Sequence, residues 1–101
     1  MTSTQSPSKS ISEILAERGS RYGSFMGNAT IAQHIKMIFW GQESFSKLAP
    51  DQREALEMIA HKIARILNGD PNYSDNWVDI AGYAKLVSDR LTAEEYANLP
   101  F

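Results

Sequence analysis

The chain has 101 residues, of which 43% are hydrophobic and 22% are charged, and its formal net charge at pH 7 is −2. These values are typical of one globular domain and exclude a chain that is disordered throughout. The absence of cysteine excludes a disulfide scaffold, a zinc finger and thiol catalysis. The slightly acidic balance argues against direct binding of nucleic acid, which normally requires a basic surface. No apolar run approaches the ~18 residues of a membrane span, so we expect no membrane partner.

The sequence divides into a short tail and one helical domain. Residues 1–9 are polar and contain no large apolar side chain after Met1, so we expect a flexible tail. From residue 10 onward, apolar residues recur at helical spacing and no segment alternates as a strand would. We therefore predict an all-α fold, a four-helix bundle-like domain over residues 10–101 that ends in a short C-terminal helix.

The first two helices are predicted from short signals. Ser10 begins a capping box, and Gly19 is a natural stop for the helix that follows. Asn28 or Thr30 is the expected cap of the second helix, which Gly41 ends. These positions give two helices before residue 42.

The third and fourth helices give the clearest signals. Pro50 suits the first turn of a helix, and Asn68 followed by glycine suits its end. Ser74 is expected to cap the fourth helix, which continues to about Arg90, and Thr92 begins a capping box for the short last helix. The side chains expected to form the common core recur at helical spacing: Leu56, Ile59, Ile63, Leu67, Ile80, Ala84 and Val87.

A polar face runs along the third helix beside its apolar stripe. On a helical wheel this face carries Glu54, Glu57, His61 and Arg65, while Lys62 lies on the other flank of the stripe. Such a row either lines a cleft or is an ordinary solvated face with contacts one turn apart. Periodicity alone leaves both interpretations open.

Asp75 and Asp79 lie four residues apart on the fourth helix, so their carboxylates share one face. Like charges at this spacing repel, and Arg65, Lys62 or a divalent cation must offset the repulsion. Mg²⁺ is suited, because one or two carboxylates with water and phosphate oxygens satisfy it. Alternatively, the helix dipole favours Asp75, and one salt bridge satisfies Asp79. The short loop before Ser74 makes the last two long helices antiparallel neighbours, so Arg65 is the expected partner of Asp79.

The same face of the fourth helix carries Gly82 and Leu86, which a purely solvated face does not require. A glycine inside a helix is about 1 kcal/mol less favourable than alanine, and it permits close approach by another helix or a ligand. Phe39 and Trp40 are adjacent at the end of the second helix, so one of them points away from the core. We therefore expect a homo-oligomer, at least a dimer, that covers the second face of the fourth helix.

Three segments resemble a small, uncharacterised family of tailed-phage and prophage proteins, over roughly residues 11–90. They are residues 14–23, 62–65 and 75–84, and the run Asp-Asn-Trp-Val-Asp-Ile-Ala-Gly-Tyr-Ala in the last of them is the most specific. The resemblance implies an origin in a phage or prophage and action in the cytoplasm of a bacterial host. It implies no particular activity.

A more distant resemblance is to the all-α nucleoside triphosphate pyrophosphatases of the MazG and dimeric dUTPase type. Those enzymes pair a Glu-x-x-Glu helix with a later Glu-x-x-Asp helix, and the four acids bind Mg²⁺. Glu54 and Glu57 match the first element, while Asp75 and Asp79 stand in the second with Asp for Glu and one extra residue between them. The resemblance implies Mg²⁺ on these four acids. Two cations and three aromatic side chains are the candidates for the nucleotide: Lys62 and Arg65 for the phosphates, and Tyr22, Trp77 and Tyr83 for stacking on the base.

Three functions follow from these observations. The first is a non-catalytic protein that binds a nucleotide or a component of host defence. The alternatives are a Mg²⁺-dependent nucleoside triphosphate pyrophosphohydrolase and a purely structural helical module. The extra residue between Asp75 and Asp79 favours binding over turnover, because acids three and four residues apart differ by about 100° in direction. No catalytic residue is predicted.

Overall fold

The computed structural model describes residues 8–100, which form helices and connecting turns and contain no strand. The all-α prediction is therefore confirmed. No helix in this range is both long and apolar enough to cross a bilayer. Residues 1–7 of the predicted tail lie outside the described range, and Lys9 forms an ion pair with Glu17. The elements follow in the order α1 Ile11–Tyr22, α2 Phe25–Trp40, a 3-10 helix Glu43–Lys47, α3 Pro50–Asn68 and α4 Ser74–Ala97.

α1 begins as predicted and ends later than predicted. The Ser10 hydroxyl accepts a hydrogen bond from the Glu13 backbone N–H at 3.1 Å, which confirms the cap. The helix continues through Gly19 to Tyr22, because a single glycine weakens a helix without ending it. It ends at Gly23, whose φ of 78° lies in the left-handed region that glycine adopts readily.

α2 begins earlier than predicted. The Ser24 hydroxyl accepts a hydrogen bond from the Gly27 backbone N–H at 3.0 Å and caps the helix. The predicted caps, Asn28 and Thr30, therefore lie inside the helix, and Asn28 is buried there. The predicted end at Gly41 is confirmed.

Both predicted bounds of α3 are confirmed, whereas α4 is longer than predicted. The predicted cap, Ser74, is instead the first residue of α4, and Tyr73 is in the cap position without a capping hydrogen bond from its side chain. The helix continues without a break to Ala97. The predicted separate C-terminal helix from Thr92 is wrong, because these residues form the last turns of α4. No glycine or proline lies between Thr92 and Ala97 to interrupt the helix.

α3 is the central helix. α2 and α4 both pack on it, and α1 reaches its C-terminal end. Small side chains make the close contacts between these helices, since Ala60 and Ala64 of α3 are fully buried and Ala32 of α2 and Ala55 of α3 are nearly so. Within residues 8–100, Phe45 of the 3-10 helix is the only large apolar side chain that is buried.

The predicted common core is not formed within one chain. Leu67 is 67% exposed and Leu56 is 36% exposed, and Ala84 is also exposed. Two helices that flank one central helix make a layer without an enclosed interior, so the apolar stripe opens onto a groove of about 300 Å³ between α3 and α4. The other predicted core residues are half-buried: Ile59, Ile63, Ile80 and Val87.

One ion pair holds α4 in register with the start of α3. Arg90 donates from Nε and Nη2 to the two carboxylate oxygens of Asp51, at 2.5 and 2.7 Å. This bidentate contact lowers the pKa of Asp51 and raises the pKa of Arg90, because each charge stabilises the other. Asp51 belongs to the first turn of α3, so the contact joins the two helices far from the loop that connects them.

Candidate functional site

The two pairs of acidic residues predicted to hold a metal lie in different parts of the structure, one on α3 and one on α4. Glu54 and Glu57 line a cavity beside Trp40, whose indole N–H donates to Glu57 at 3.4 Å. Asp79 lies on α4 and pairs with Lys62, with 3.0 Å between Nζ and Oδ2. Within residues 8–100, no three His, Asp or Glu side chains form a group that can hold a metal ion. One chain therefore does not bring the predicted Mg²⁺ ligands together.

The predicted pair between Arg65 and Asp79 is wrong. Lys62, which is only 9% exposed, pairs with Asp79, while the Arg65 guanidinium lies 4.1 Å from the centroid of the Tyr22 ring. Lys62 and Arg65 are three residues apart, so their side chains leave α3 in different directions. Lys62 points to α4, and Arg65 points to α1.

The residues predicted to bind a nucleotide are only partly brought together. The Trp77 indole N–H donates to the Pro71 carbonyl at 2.9 Å, and Tyr83 lines a shallow cavity on α4. Neither lines the cavity that contains Tyr22 and Arg65. Of the five predicted residues, only Tyr22 and Arg65 share one cavity.

That cavity has a volume of about 470 Å³ and lies where the turn between α1 and α2 meets α3. We call it the basic pocket. Three basic side chains line it, together with polar, apolar and glycine residues, and no carboxylate is among them. Its residues are Leu15, Arg18, Gly19, Tyr22, Gly23, Ser24, Phe25, Asn28, His61 and Arg65.

Two glycines allow the turn between α1 and α2 to dock on the end of α3. A Cβ atom on Gly23 or Gly27 would overlap Asn68. The Asn68 side chain donates through Nδ2 to the carbonyls of Tyr22 and Ser24, at 3.1 and 3.0 Å. These hydrogen bonds fix the backbone of the pocket wall, because both carbonyls belong to the turn.

A row of alternating cations and aromatic rings runs from the basic pocket into a neighbouring cavity, which Arg21 and Tyr73 line together with Glu17. Beyond Arg65 and Tyr22, the Tyr22 and Tyr73 ring centroids are 6.0 Å apart, and the Arg21 guanidinium lies 4.5 Å from the Tyr73 centroid. A hydrogen bond to Asp75 raises the pKa of Tyr73. A contact with an aromatic face holds a guanidinium in place without neutralising its positive charge. Within the described part of the chain, neither Arg21 nor Arg65 forms an ion pair.

Burial and neighbouring positive charges both act on the imidazole of His61, which lines the pocket. Burial lowers the pKa of His61, and the positive charges of Arg65, Lys62 and Lys36 lower it further. The imidazole is therefore neutral at pH 7 and keeps one N–H donor. α2 begins at Phe25, which lines the pocket, so the positive end of this helix also faces it. The arrangement favours an anionic ligand.

The basic pocket also contains a buried acceptor. Asn28 is 7% exposed, and its Oδ1 atom has no hydrogen-bond partner among the described residues. A buried polar atom without a partner lowers stability by about 1–3 kcal/mol. A ligand N–H group that reaches this oxygen removes the penalty.

Sequence reasoning missed Arg18, Asn28 and Asn68 as residues of this region. Arg18 and Tyr22 are four residues apart and share one face of α1, which is the signal that indicates them. Asparagine is common both at helix caps and at helix ends. The sequence positions of Asn28 and Asn68 therefore do not indicate a tertiary contact. The hydrogen bonds of Asn68 join positions more than 40 residues apart.

A family model described as a domain of unknown function, DUF6378, matches residues 8–91. The matched range contains every residue of the basic pocket and most of α4. No curated protein and no solved structure matches the chain. The family comes without an activity, so the function is inferred from the site.

Proposed function

We propose that this chain, which belongs to the DUF6378 family, binds a nucleotide in the basic pocket and does not hydrolyse it. One observation carries the proposal: two guanidinium groups and a neutral imidazole, with no carboxylate, line a single concave surface of a chain whose net charge is −2. The cavity, about 470 Å³, has a size typical of small-ligand sites. Its charge selects an anion, and its aromatic and apolar lining suits a base.

The phosphate groups are assigned to the basic side of the pocket. Arg18 approaches from α1 and Arg65 from α3, and a guanidinium matches phosphate oxygens in a bidentate contact. Backbone N–H groups at the start of α2, next to Ser24, add donors of the kind that bind phosphate. His61 adds one more N–H donor.

The base is assigned to the apolar side. Leu15 and Phe25 line the pocket, and both side chains are largely exposed in the chain without a ligand. A planar base that covers them removes apolar surface from water. The Asn28 Oδ1 atom is buried, so it accepts a hydrogen bond from an amino or ring N–H group of the base only after its side chain turns towards the pocket.

Catalysis by the MazG route requires carboxylates beside the phosphates, because Mg²⁺ is held by oxygen ligands. Glu54 and Glu57 line a different cavity, and Asp79 is paired with Lys62. The residues of one chain therefore do not fit a Mg²⁺ ion in the basic pocket. This separation supports binding over pyrophosphate hydrolysis.

The biological setting is part of the same proposal. The resemblance of residues 75–84 to tailed-phage and prophage proteins supports a phage-encoded chain that acts in the cytoplasm of a bacterial host. A protein that holds a nucleotide without turnover withdraws it from the host pool or from a nucleotide-dependent defence protein. A host protein that recognises the loaded chain is the second kind of partner that we propose.

Isothermal titration of the full chain with nucleoside triphosphates, monophosphates and inorganic pyrophosphate tests this function. We expect nucleotides to bind, and Arg65→Gln to weaken binding at least tenfold, since a hydrogen bond to a charged group contributes about 1.5–3 kcal/mol. Arg53→Gln is the matched control, because Arg53 also lies on α3 but lines the cavity of Glu54 and Glu57. Its affinity is expected to equal that of the unmodified chain.

The possible results of this titration are distinct. Equal affinity of the Arg65 and Arg53 variants would overturn the assignment to the basic pocket. Release of pyrophosphate in the presence of Mg²⁺ would replace the binder with the hydrolase. No binding of any of these compounds would leave the structural module as the function.

A further inference from the structure

A second cavity adjoins the basic pocket on the neighbouring flank of α1. Its volume is about 230 Å³, and Arg18 and Tyr22 line both cavities, so the two share a wall. We call it the Arg21 cavity. Its residues are Ile14, Glu17, Arg18, Arg21, Tyr22 and Tyr73.

The loop between α3 and α4 fixes the far wall of the Arg21 cavity. The Asp70 backbone N–H donates to the Arg21 carbonyl at 2.8 Å, and a Cβ atom on Gly69 would overlap the backbone of α1 at its end. This contact seats the loop against α1 and brings the Tyr73 ring centroid to 6.0 Å from the Tyr22 centroid. Contacts within the chain therefore hold both sides of the cavity in place before a ligand binds, which lowers the entropy cost of binding.

The Arg21 cavity has a surplus of positive charge. Within the described part of the chain, neither Arg18 nor Arg21 forms an ion pair. Glu17 is the one acidic side chain of the lining, and it pairs with Lys9. The hydrogen bond from Lys9 and its positive charge hold the pKa of Glu17 below the ordinary value, so the two charges of this pair offset each other. Two guanidinium charges are left for a ligand.

The lining of the Arg21 cavity suits a phosphate group better than a second base. Ile14 is its only aliphatic side chain, and the Arg21 guanidinium already lies over the Tyr73 ring, 4.5 Å from its centroid. A guanidinium that stacks on a ring keeps its N–H donors in its own plane, where they can donate to phosphate oxygens. Arg18 supplies further donors from the shared wall.

We infer that the Arg21 cavity is a second phosphate subsite, so that the ligand of the basic pocket is a nucleotide with at least two phosphate groups. This inference rests on the proposed function, which assigns the first phosphate to Arg65 and Arg18. The second phosphate lies beyond the shared wall, between Arg18 and Arg21, where both guanidinium groups form charge-assisted hydrogen bonds with it. A linear phosphate chain and a phosphate on another carbon of the ribose present the same chemistry to this subsite.

Isothermal titration with four nucleotides of one base measures the effect of the second phosphate. They are the 5′-monophosphate, the 5′-diphosphate, the 5′-triphosphate and the 3′,5′-bisphosphate, all without divalent cations. We expect either the 5′-diphosphate or the 3′,5′-bisphosphate to bind at least about tenfold more tightly than the monophosphate, because hydrogen bonds between charged groups are strong. The compound that gains affinity identifies the position of the second phosphate.

Arg21→Gln tests the subsite itself. We expect it to remove most of the gain from the second phosphate and to change the affinity for the monophosphate less than about twofold, since the two subsites are separate. Arg21→Met is expected to behave in the same way. Its thioether still packs on the Tyr73 ring, so it separates loss of the charge from loss of that contact.

Arg53→Gln is the matched control, because it changes the net charge equally at a residue that lines the cavity of Glu54 and Glu57. This variant is expected to keep the full gain from the second phosphate. Circular dichroism of each variant verifies its helical content.

These measurements can overturn the inference. Equal affinity for the monophosphate and for every nucleotide with a second phosphate would overturn it, and so would a gain that Arg21→Gln and Arg21→Met both retain. In either case, monophosphate binding that weakens in Arg65→Gln would leave the proposed function standing. If a chain of native helical content binds none of the four nucleotides, the proposed function is wrong and the inference falls with it.

Discussion

The turn between α1 and α2 and the outer face of α4 both contain glycine, but in opposite surroundings. At the turn, Gly23 and Gly27 lie so close to Asn68 that neither has room for a Cβ atom. On α4, Gly82 has no neighbouring atom within 4 Å of that position. The contacts that explain the first two glycines are within the chain. Gly82 has no such contact among the described residues, so the same residue type is required by packing at the internal joint between the turn and α3 and is not required by packing on α4.

The largest effect is expected at the internal joint. Gly23→Ala introduces a Cβ atom that overlaps Asn68 at a positive φ, and we expect the free energy of unfolding to fall by roughly 3 kcal/mol. Gly19→Ala is the control, because no atom lies near that position and α1 gains helix propensity. Urea unfolding at one protein concentration compares them. Similar effects of both substitutions would mean that the turn is not docked.

Removing the side chain that holds the joint has the next largest effect. Asn68→Ala deletes the hydrogen bonds to the carbonyls of Tyr22 and Ser24, and the expected loss is roughly 2 kcal/mol. Asn72→Ala, in an exposed loop, is expected to change the unfolding free energy by less than about 0.5 kcal/mol. Nucleotide affinity is measured on the same samples. Retention of both stability and affinity by Asn68→Ala would contradict the role of this side chain.

On α4, glycine replacement is expected to have two effects of opposite sign. Gly82→Ala stabilises the helix of the single chain by up to about 1 kcal/mol, because alanine has the higher helix propensity. In the homo-oligomer that the sequence predicts on this face, the added methyl group hinders close approach at Gly82, so that assembly is expected to weaken. Thermal melting at low concentration follows the first effect, and sedimentation follows the second. A tighter dimer would argue against close contact at Gly82.

The smallest effect is a pH dependence at the basic pocket. Because burial lowers the pKa of His61 in the folded chain, the unfolded chain binds a proton first as pH falls. Stability is therefore expected to decrease from about pH 6.5 downward and to level off below the lowered pKa. His61→Gln removes this component, and the difference between the two urea unfolding series at pH 7.5 and 5.5 measures it. An anion in the pocket is expected to reduce the decrease, since it favours the charged imidazole.

Sequence patterns near a helix end were sufficient to predict that end where the residues next to it determine it. Pro50 and Asn68 bound α3 as predicted, because proline suits a first turn and glycine follows Asn68. Ser10 caps α1 for a similarly local reason. The predicted cap of α2 is wrong at Asn28. Asparagine is a favoured capping residue, but Asn28 lies inside the helix, where its side chain is buried.

The candidate site was less predictable because it joins distant parts of the chain. A helical wheel gives the angle between Lys62 and Arg65 but not which neighbouring helix each side chain meets. The structure turns Lys62 to Asp79 and Arg65 to Tyr22. Tyr22 and Arg65 were nevertheless among the predicted nucleotide-binding residues. Arg18 belongs with them only because Asn68 docks the end of α1 on α3.

The alanines at the helix contacts of α3 have a consequence for the amount of protein in a cell. Ala60 and Ala64 fill the contacts between helices, and many larger apolar side chains are exposed. In the homo-oligomer that the sequence predicts, such a chain gains stability from assembly and therefore from its concentration. Newly made chains below the dissociation constant of the dimer expose these side chains and are open to proteases. Chains made faster than they are degraded pass this threshold and persist. The steady-state level is therefore expected to rise more steeply than the rate of synthesis.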